Sequence, residues 1–369
     1  MIKLTVVIVA HNEEKLLPVC LEAVLKSYYY SQDKILKVFV VDNASRDKTV
    51  DIIRDFESRF PDVFSYVFES KIGIGYARAA GASAVSNFLK NRGVNKKYVW
   101  NITTDADVIV PENWFSAWHR EVLNHQADII TGNASFSDQL KSWPYSMEVF
   151  KENDRFINSI ERIVGVINAD GFNTAINQHA YDVIGPYQQF FTEDNGVQKT
   201  APGEDWDLSY RAFRKGMQVI RTFKTEISIS PRRYIDGPIS YLTGEAYEEE
   251  HTRIDSDKRL GIHEDPCADK VEYFSDLFKK RNFGYYFVKS LIAKPNLLDE
   301  LTNKILNNQN NNLLSFLSDS LKSNLDKNEL KLGVDDYLKA VRIEKKICDD
   351  ITIEMMHDLE QLTSGSLSD

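Results

Sequence analysis

Residues 4–10, Leu-Thr-Val-Val-Ile-Val-Ala, form an uninterrupted apolar run rich in β-branched side chains. A strand that can be apolar at every position, rather than at alternate ones, must be covered on both faces. The run is then repeated in a fixed rhythm. Glu13–Lys26 carries Leu16, Leu17, Cys20, Leu21, Val24 and Leu25 at helical spacing. Ile35–Val41 reads as a second buried strand and Ser45–Phe60 as a helix capped by Ser45 or Asp47. Val63–Phe68 is a third strand, Gly75–Leu89 an alanine-rich helix, and Tyr98–Thr103 a fourth strand. Strand and helix alternating in this way predict an α/β chain with a mostly parallel sheet flanked by helices. Such sheets bind ligands beyond the carboxyl ends of their strands. Attention therefore falls on residues 10–14, 42–45, 70–75 and 104–108.

Beyond Asp128 the rhythm weakens. Short strands are expected at Ile129–Thr131 and Val219–Ile229, around a helix at Trp206–Lys215. After Gly237 strand signals fade, and amphipathic stretches at 271–293, 297–307, 313–325 and 334–362 predict an appended α-helical C-terminal region. The expected division is residues 1–236 as catalytic domain and 237–369 as helical region. Gln188–Pro202 reads as a polar loop able to close on a ligand.

Composition narrows the function. The 369 residues hold 45 Lys+Arg against 55 Asp+Glu, a net charge of −10. A chain so acidic has no general attraction for a phosphate backbone, so nucleic acid is not an expected partner. Cys20, Cys267 and Cys348 are odd in number and lack CxxC spacing, which argues against a disulfide framework and fits a reducing, cytoplasmic setting. The N-terminal residues do not read as a signal peptide, and the longest apolar runs are strand-sized. The aromatic, basic segment Tyr273–Lys294 offers a surface for peripheral contact with the inner face of a membrane. Packing on the catalytic domain is the favoured alternative.

Four constellations carry chemistry. Asp105-Ala106-Asp107 follows the fourth strand, where two carboxylates can share one hard cation, Mn²⁺ or Mg²⁺. By itself this is equally a strand-ending turn. Gly203-Glu204-Asp205-Trp206-Asp207 opens a helix with Trp206, Tyr210, Phe213 and Met217 as an apolar stripe and Gly216 at the C-cap. One of its carboxylates is a candidate general base, though acidic residues also suit a helix N-terminus. In Lys71-Ile72-Gly73-Ile74-Gly75-Tyr76-Ala77-Arg78 the glycines open a helix whose N-terminus Lys71 and Arg78 can share with an anion. Asp42, in Val41-Asp42-Asn43-Ala44-Ser45, is either a nucleoside contact or a turn residue.

Taken in order, VVIVAHNEE, VVDNASRDKT, KIGIGYARAAG, TTDADVIVPENW and GEDWDLSYRAFRKG resemble the conserved segments of the family 2 glycosyltransferases, over about residues 2–235. The resemblance implies a GT-A, Rossmann-like fold and an inverting, metal-dependent transfer of a sugar from a nucleotide-diphosphate donor. Its acceptor would be a hydroxyl of a glycan or a lipid-linked acceptor, in polysaccharide or glycoconjugate synthesis. It places Ala10, His11, Glu13 and Asp42 around base and ribose, Lys71 and Arg78 beside the nucleotide, and Asp105 and Asp107 on the cation. Asp205 becomes the base, with Glu204 on the acceptor or orienting the site. Asn168, Asp170, Asn173 and Trp206 fall to the acceptor side. UDP-sugars are favoured over GDP-sugars because they are common in the family. Lys71 and Ala79 replace usual asparagines, and no histidine follows the last strand as third metal ligand. His251 and His263 are later candidates. Two other classes compete. A sugar-phosphate nucleotidyltransferase would want a glycine-rich basic loop where AHNEE stands. A non-catalytic nucleotide-sugar-binding module would not need Asp105, Asp107 and Asp205 together.

Overall fold

The computed structural model describes residues 2–31, 34–136, 140, 142–194, 197–201, 203–243, 265–288 and 290. The strands are β1 (Lys3–Ala10), β2 (Ile35–Asp42), β3 (Phe64–Phe68), β4 (Val99–Asp105), β5 (Val108–Ile109), β6 (Ile129–Thr131), β7 (Ala134–Phe136), β8 (Asn173–Asn177), β9 (Phe190–Asp194), β10 (Val197–Ala201), β11 (Val219–Arg221) and β12 (Ile227–Ile229). The helices are α1 (Leu17–Tyr30), α2 (Thr49–Arg59), α3 (Ile74–Asn91), α4 (Trp114–Asn124), α5 (Pro144–Val164), α6 (Gln178–Ile184), α7 (Glu204–Arg214), α8 (Arg232–Asp236), α9 (Pro238–Thr243) and α10 (Val271–Asn282).

Two compact units result. One comprises residues 1–137 and 167–231, the other 138–166 and 232–369. The second unit therefore takes in a helix, α5, that precedes the expected boundary at 236–238. The helices expected at 297–307, 313–325 and 334–362 lie outside the described residues, as do His251 and His263.

In the first unit a seven-stranded sheet runs in the order β11-β6-β8-β4-β1-β2-β3. Every neighbouring pair is parallel except those made by β8, which is antiparallel to both β4 and β6. The α/β expectation is met. The buried run of β1 lies under helices on both faces. Val6 and Ile8 join Leu17, Leu21 and Ile53, whereas Val7 and Val9 join Ala77, Val85 and Leu89. Gly81 of α3 is required here, because a Cβ would collide with Val7.

Several elements differ from expectation for identifiable reasons. Helix α2 starts at Thr49, not Ser45: Ser45 serves the neighbouring loop, and Asp47 is shared between that loop and the start of the helix. Ser45 Oγ accepts from the Asn12 amide, and Asp47 accepts from the amides of Glu14 and Thr49. Helix α1 starts at Leu17, after a turn in which the Leu16 and Leu17 amides donate to the Glu13 carbonyl. The single strand expected at 219–229 is two strands. Lys224's amide donates to Thr222 Oγ1 in the turn between them, and β12 pairs with β5 and β7 in a separate sheet. Residues 188–202 are not a plain loop but contain the β9–β10 hairpin. The C-cap at Gly216 holds: its φ is +71°, its amide donates to Phe213, and Met217 donates to Ala212, as in a Schellman motif.

In the second unit α5 packs on α10, with Phe150 in edge contact with Tyr234, Tyr241 and Phe278. Asp265 accepts from the Tyr145 and Ser146 amides at the start of α5. Two of the basic groups of α10 turn inward: Lys279 lies 3.9 Å from Glu152, and Arg281 donates to the Tyr241 carbonyl. Here α10 is packed within its own unit. No described helix is long and apolar enough to cross a membrane.

Asn173 ties the sheet to α4. It is fully buried; Oδ1 accepts from the indoles of Trp114 (3.2 Å) and Trp118 (3.3 Å), and Nδ2 donates to the carbonyls of Asn133 and Thr225. Asn173→Ala orphans two buried indole N–H groups, each costing about 1–3 kcal/mol. Urea unfolding should therefore show a loss of at least ~2 kcal/mol.

Candidate active site

The register places Ala10 opposite Asp42 and Val9 opposite Asp105, so three strands end at one edge. The loops leaving that edge are stitched together. Asn43 donates from Nδ2 to the carbonyls of Glu69 and Lys71 and accepts from the Gly73 amide through Oδ1 at 2.8 Å. His11 Nδ1 donates to the Asn43 carbonyl at 2.5 Å, which fixes the tautomer, since a carbonyl can only accept. Its Nε2 then accepts from Asn12 Nδ2. Asn12 and Ala44 sit at φ +54° and +53° in the turns leaving β1 and β2. Asn suits that conformation; Ala44 is strained in it. Asp42 is fully buried. Oδ1 accepts from the Ser45 amide, and Oδ2 has no hydrogen-bond partner among the described residues.

The glycine-opened helix differs from expectation. Its N-terminus is filled from within the chain, by Gln189 Oε1, which accepts from the Gly75 amide at 3.0 Å. Gly73, at φ +147°, and Gly75 admit this segment; a Cβ on either would strike Gln189 or the Gln188 carbonyl. Lys71 lies over the Tyr76 ring, and the Arg78 guanidinium is spent on side chains and a carbonyl from other elements.

Arg78 instead runs under the site, with 4% of its side chain exposed. Nε donates to Glu204 Oε1 at 3.1 Å, Nη2 to Asp105 Oδ1 at 3.0 Å, and Nη1 to Thr103 Oγ1 at 2.9 Å and to the Gly171 carbonyl. Burial alone would loosen its proton, but the Asp105 and Glu204 carboxylates outweigh burial and hold it charged. Gly171 is needed because a Cβ would run into the guanidinium carbon.

Two carboxylates of α7, Glu204 and Asp205, lie near the same cation. Glu204 is buried; desolvation first, then the Asp205 charge, pushes its pKa up to about 7 against the pull of Arg78. Asp205 is partly buried and is raised by desolvation and then by Asp170, against Arg78 and the amides of Trp206 and Gly171. Asp207 is drawn off to Arg211 at 2.8 Å. Trp206 is stacked on Tyr210 at 5.5 Å. The core face of α7 is centred on Leu208 and Ala212; of the expected stripe, Met217 packs against that cluster and Trp206 is buried.

Asp105 and Asp107 leave β4 on one turn, both partly exposed, and the Asp107 carbonyl accepts from the Ser230 amide. Beneath them the buried Cys20 thiol donates to the Asp105 carbonyl. Its pKa is pushed up by burial and then by Asp107, Asp105 and Glu13. Two carboxylates are a hard-oxygen donor set that suits Mn²⁺ or Mg²⁺ sharing further oxygens with water or a diphosphate. Among the described residues no three His, Cys, Asp or Glu side chains form a metal cluster, so the protein would supply a partial shell.

The acceptor-side candidates separate. Asn168 donates to Asp170 Oδ1 at 2.9 Å and accepts from Ser209. Asp170 is paired with Arg221 at 2.9 Å. These two form a buried frame beside Asp205. Asn173 is corrected: its side chain belongs to the tryptophan core and is not presented to a ligand. Thr103, Gly171, Asn43 and Gln189 escaped the sequence reading. Only Thr103 had a signal, the period-two spacing that sets it on the face of Asp105.

The profile described as glycosyl transferase family 2 matches residues 5–185. No curated protein matches the chain by sequence. Among solved structures, the mannosyltransferase PcManGT from Pyrobaculum calidifontis, in complex with GDP-Man and Mn²⁺, is 16% identical. The alignment covers 95% of this chain and 88% of that one at a TM-score of 0.46. Residues 1–349 of TarS from S. aureus are 11% identical over 94% and 90% of the two chains, at 0.45.

The raised Glu204 pKa has a sign that can be measured. A carboxyl whose pKa is higher folded than unfolded stabilises the protein below its unfolded value, and that stability is lost as pH rises through the folded one. Thermal unfolding across pH 4.5 to 7 should therefore show Glu204→Gln gaining on wild type as pH rises. Parallel curves would mean an ordinary Glu204.

Proposed function

We propose that this chain, whose residues 5–185 match the glycosyl transferase family 2 profile, moves a sugar from a nucleoside-diphosphate donor to an acceptor hydroxyl, with a divalent cation and inversion at the anomeric carbon. The observation that carries this reading is the convergence of the strand-end pair Asp105/Asp107 and the helix-start pair Glu204/Asp205 on one edge, with Arg78 holding Asp105 and Glu204.

Asp105 and Asp107 would hold the cation. When bound, it neutralises the charge that develops on the leaving diphosphate. Ala10, His11, Glu13 and Asp42 border the donor edge. Asp42 Oδ2, which has no hydrogen-bond partner among the described residues, is an acceptor suited to a base N–H or ribose hydroxyl. Asp205 takes the proton of the attacking hydroxyl, and its raised pKa makes it a stronger base than an ordinary aspartate. Glu204, fixed by Arg78 and the Gly203 amide, orients that helix start. Trp206, Asn168 and Asp170 stand on the acceptor side, the latter two setting the frame around Asp205. A UDP-sugar is the favoured donor, and a glycan or lipid-linked hydroxyl the favoured acceptor.

Calorimetry with UDP and GDP, with and without Mn²⁺, tests the donor half. Affinity should rise with metal for at least one nucleotide, and equal affinities throughout would remove the metal role. Asp205→Asn tests the acceptor half. Turnover should fall by about 10²–10⁴-fold with donor affinity kept. Near-wild-type turnover would assign the base elsewhere.

A further inference from the structure

Arg78 falls in the sequence segment expected to lie beside the nucleotide, yet its geometry leaves it little with which to read one. Of the five N–H groups a guanidinium carries, four are committed to Glu204, Asp105, Thr103 and the Gly171 carbonyl. With 4% of the side chain exposed, at most one N–H could serve a ligand.

The partners have a pattern. Asp105 ends β4, Glu204 begins α7, and Gly171 lies just before β8, so one planar group fixes three separate elements. Through Nη2 it takes only Oδ1 of Asp105, leaving Oδ2 for another partner. The Gly171 peptide extends the chain of contacts, since its carbonyl accepts from Arg78 and its amide bonds Asp205.

We infer that Arg78 is a positioning residue that couples the cation-side carboxylate to the base-bearing helix, and not a donor-binding residue. This rests on the function proposed above. It makes cation binding and the placing of Glu204 and Asp205 depend on one fork. Lysine keeps the charge but not the fork, so it can hold only one carboxylate well.

The test uses Arg78→Lys together with Gly171→Ala. Alanine at 171 displaces the guanidinium without changing any charge. Nucleotide affinity is measured by calorimetry with and without Mn²⁺, Mn²⁺ binding by electron paramagnetic resonance, and turnover as donor hydrolysis, with thermal melts as the folding check. Both variants should bind nucleotide without metal as wild type does. Their metal-dependent gain should fall about 10–100-fold, as for outer-shell partners of metal ligands, and turnover should fall with it. A tenfold drop in metal-free nucleotide affinity, with the metal-dependent gain kept, would make Arg78 a donor contact and overturn the inference. Folded variants with wild-type gain and turnover would overturn it too. A wild-type protein whose nucleotide affinity ignores metal would instead remove the proposed function, and the coupling with it.

Discussion

A guanidinium taken out of water must be surrounded by acceptors, and Arg78 imposes that condition on the whole first unit. An unpaired buried charge is too costly to survive, and breaking such a pair by deleting one partner typically costs about 3–5 kcal/mol. The chain meets the condition with groups drawn from β4, from the turn before β8 and from the start of α7. Gly171 is the steric concession that lets its carbonyl close the ring of acceptors. Around this one cation lie Asp105, Glu204 and Asp205, more negative charge than it can neutralise. Burial first, and then a neighbouring carboxylate (Asp205 for Glu204, Asp170 for Asp205), pushes both pKa values upward against the pull of Arg78.

The sheet makes this gathering possible. Parallel β1, β2 and β4 bring their carboxyl ends to one edge, but a wholly parallel sheet would return the chain away from it. The antiparallel β8 leaves the Asn168–Phe172 turn on the same edge, where Asp170 meets Arg221 and lies beside Asp205. Asn173 locks that strand in place through four side-chain hydrogen bonds to α4 and neighbouring loops. Its burial is structural support for the site one step removed from it.

Much of this was legible in the residues. The apolar runs at Leu4–Ala10 and Ile35–Val41 signal β1 and β2, and strand-end position singles out Asp42 and Asp105. What sequence could not reveal was pairing over distance. Arg78 looked like an anion contact at a helix N-terminus because Gly73 and Gly75 open that helix. Those glycines instead accommodate Gln188 and Gln189, more than 100 residues away, and no local pattern signals such a contact. Asn173 sits in a polar stretch that suggested a sugar site, and only the positions of Trp114 and Trp118 show it to be core. Ser45 and Asp47 are good helix caps by type, but Ser45 is taken by the neighbouring loop at Asn12–Glu14, while Asp47 serves both that loop and the Thr49 amide at the start of α2.

Asp105 and Glu204 share the Arg78 guanidinium and should behave energetically as one unit. A double-mutant cycle with Asp105→Asn and Glu204→Gln, read as unfolding free energy in denaturant without metal, tests it most directly. The two side chains share a partner, so the account predicts a coupling of about 1 kcal/mol or more that disappears in an Arg78→Lys background. Costs that add within ~0.5 kcal/mol in the wild-type background would contradict it.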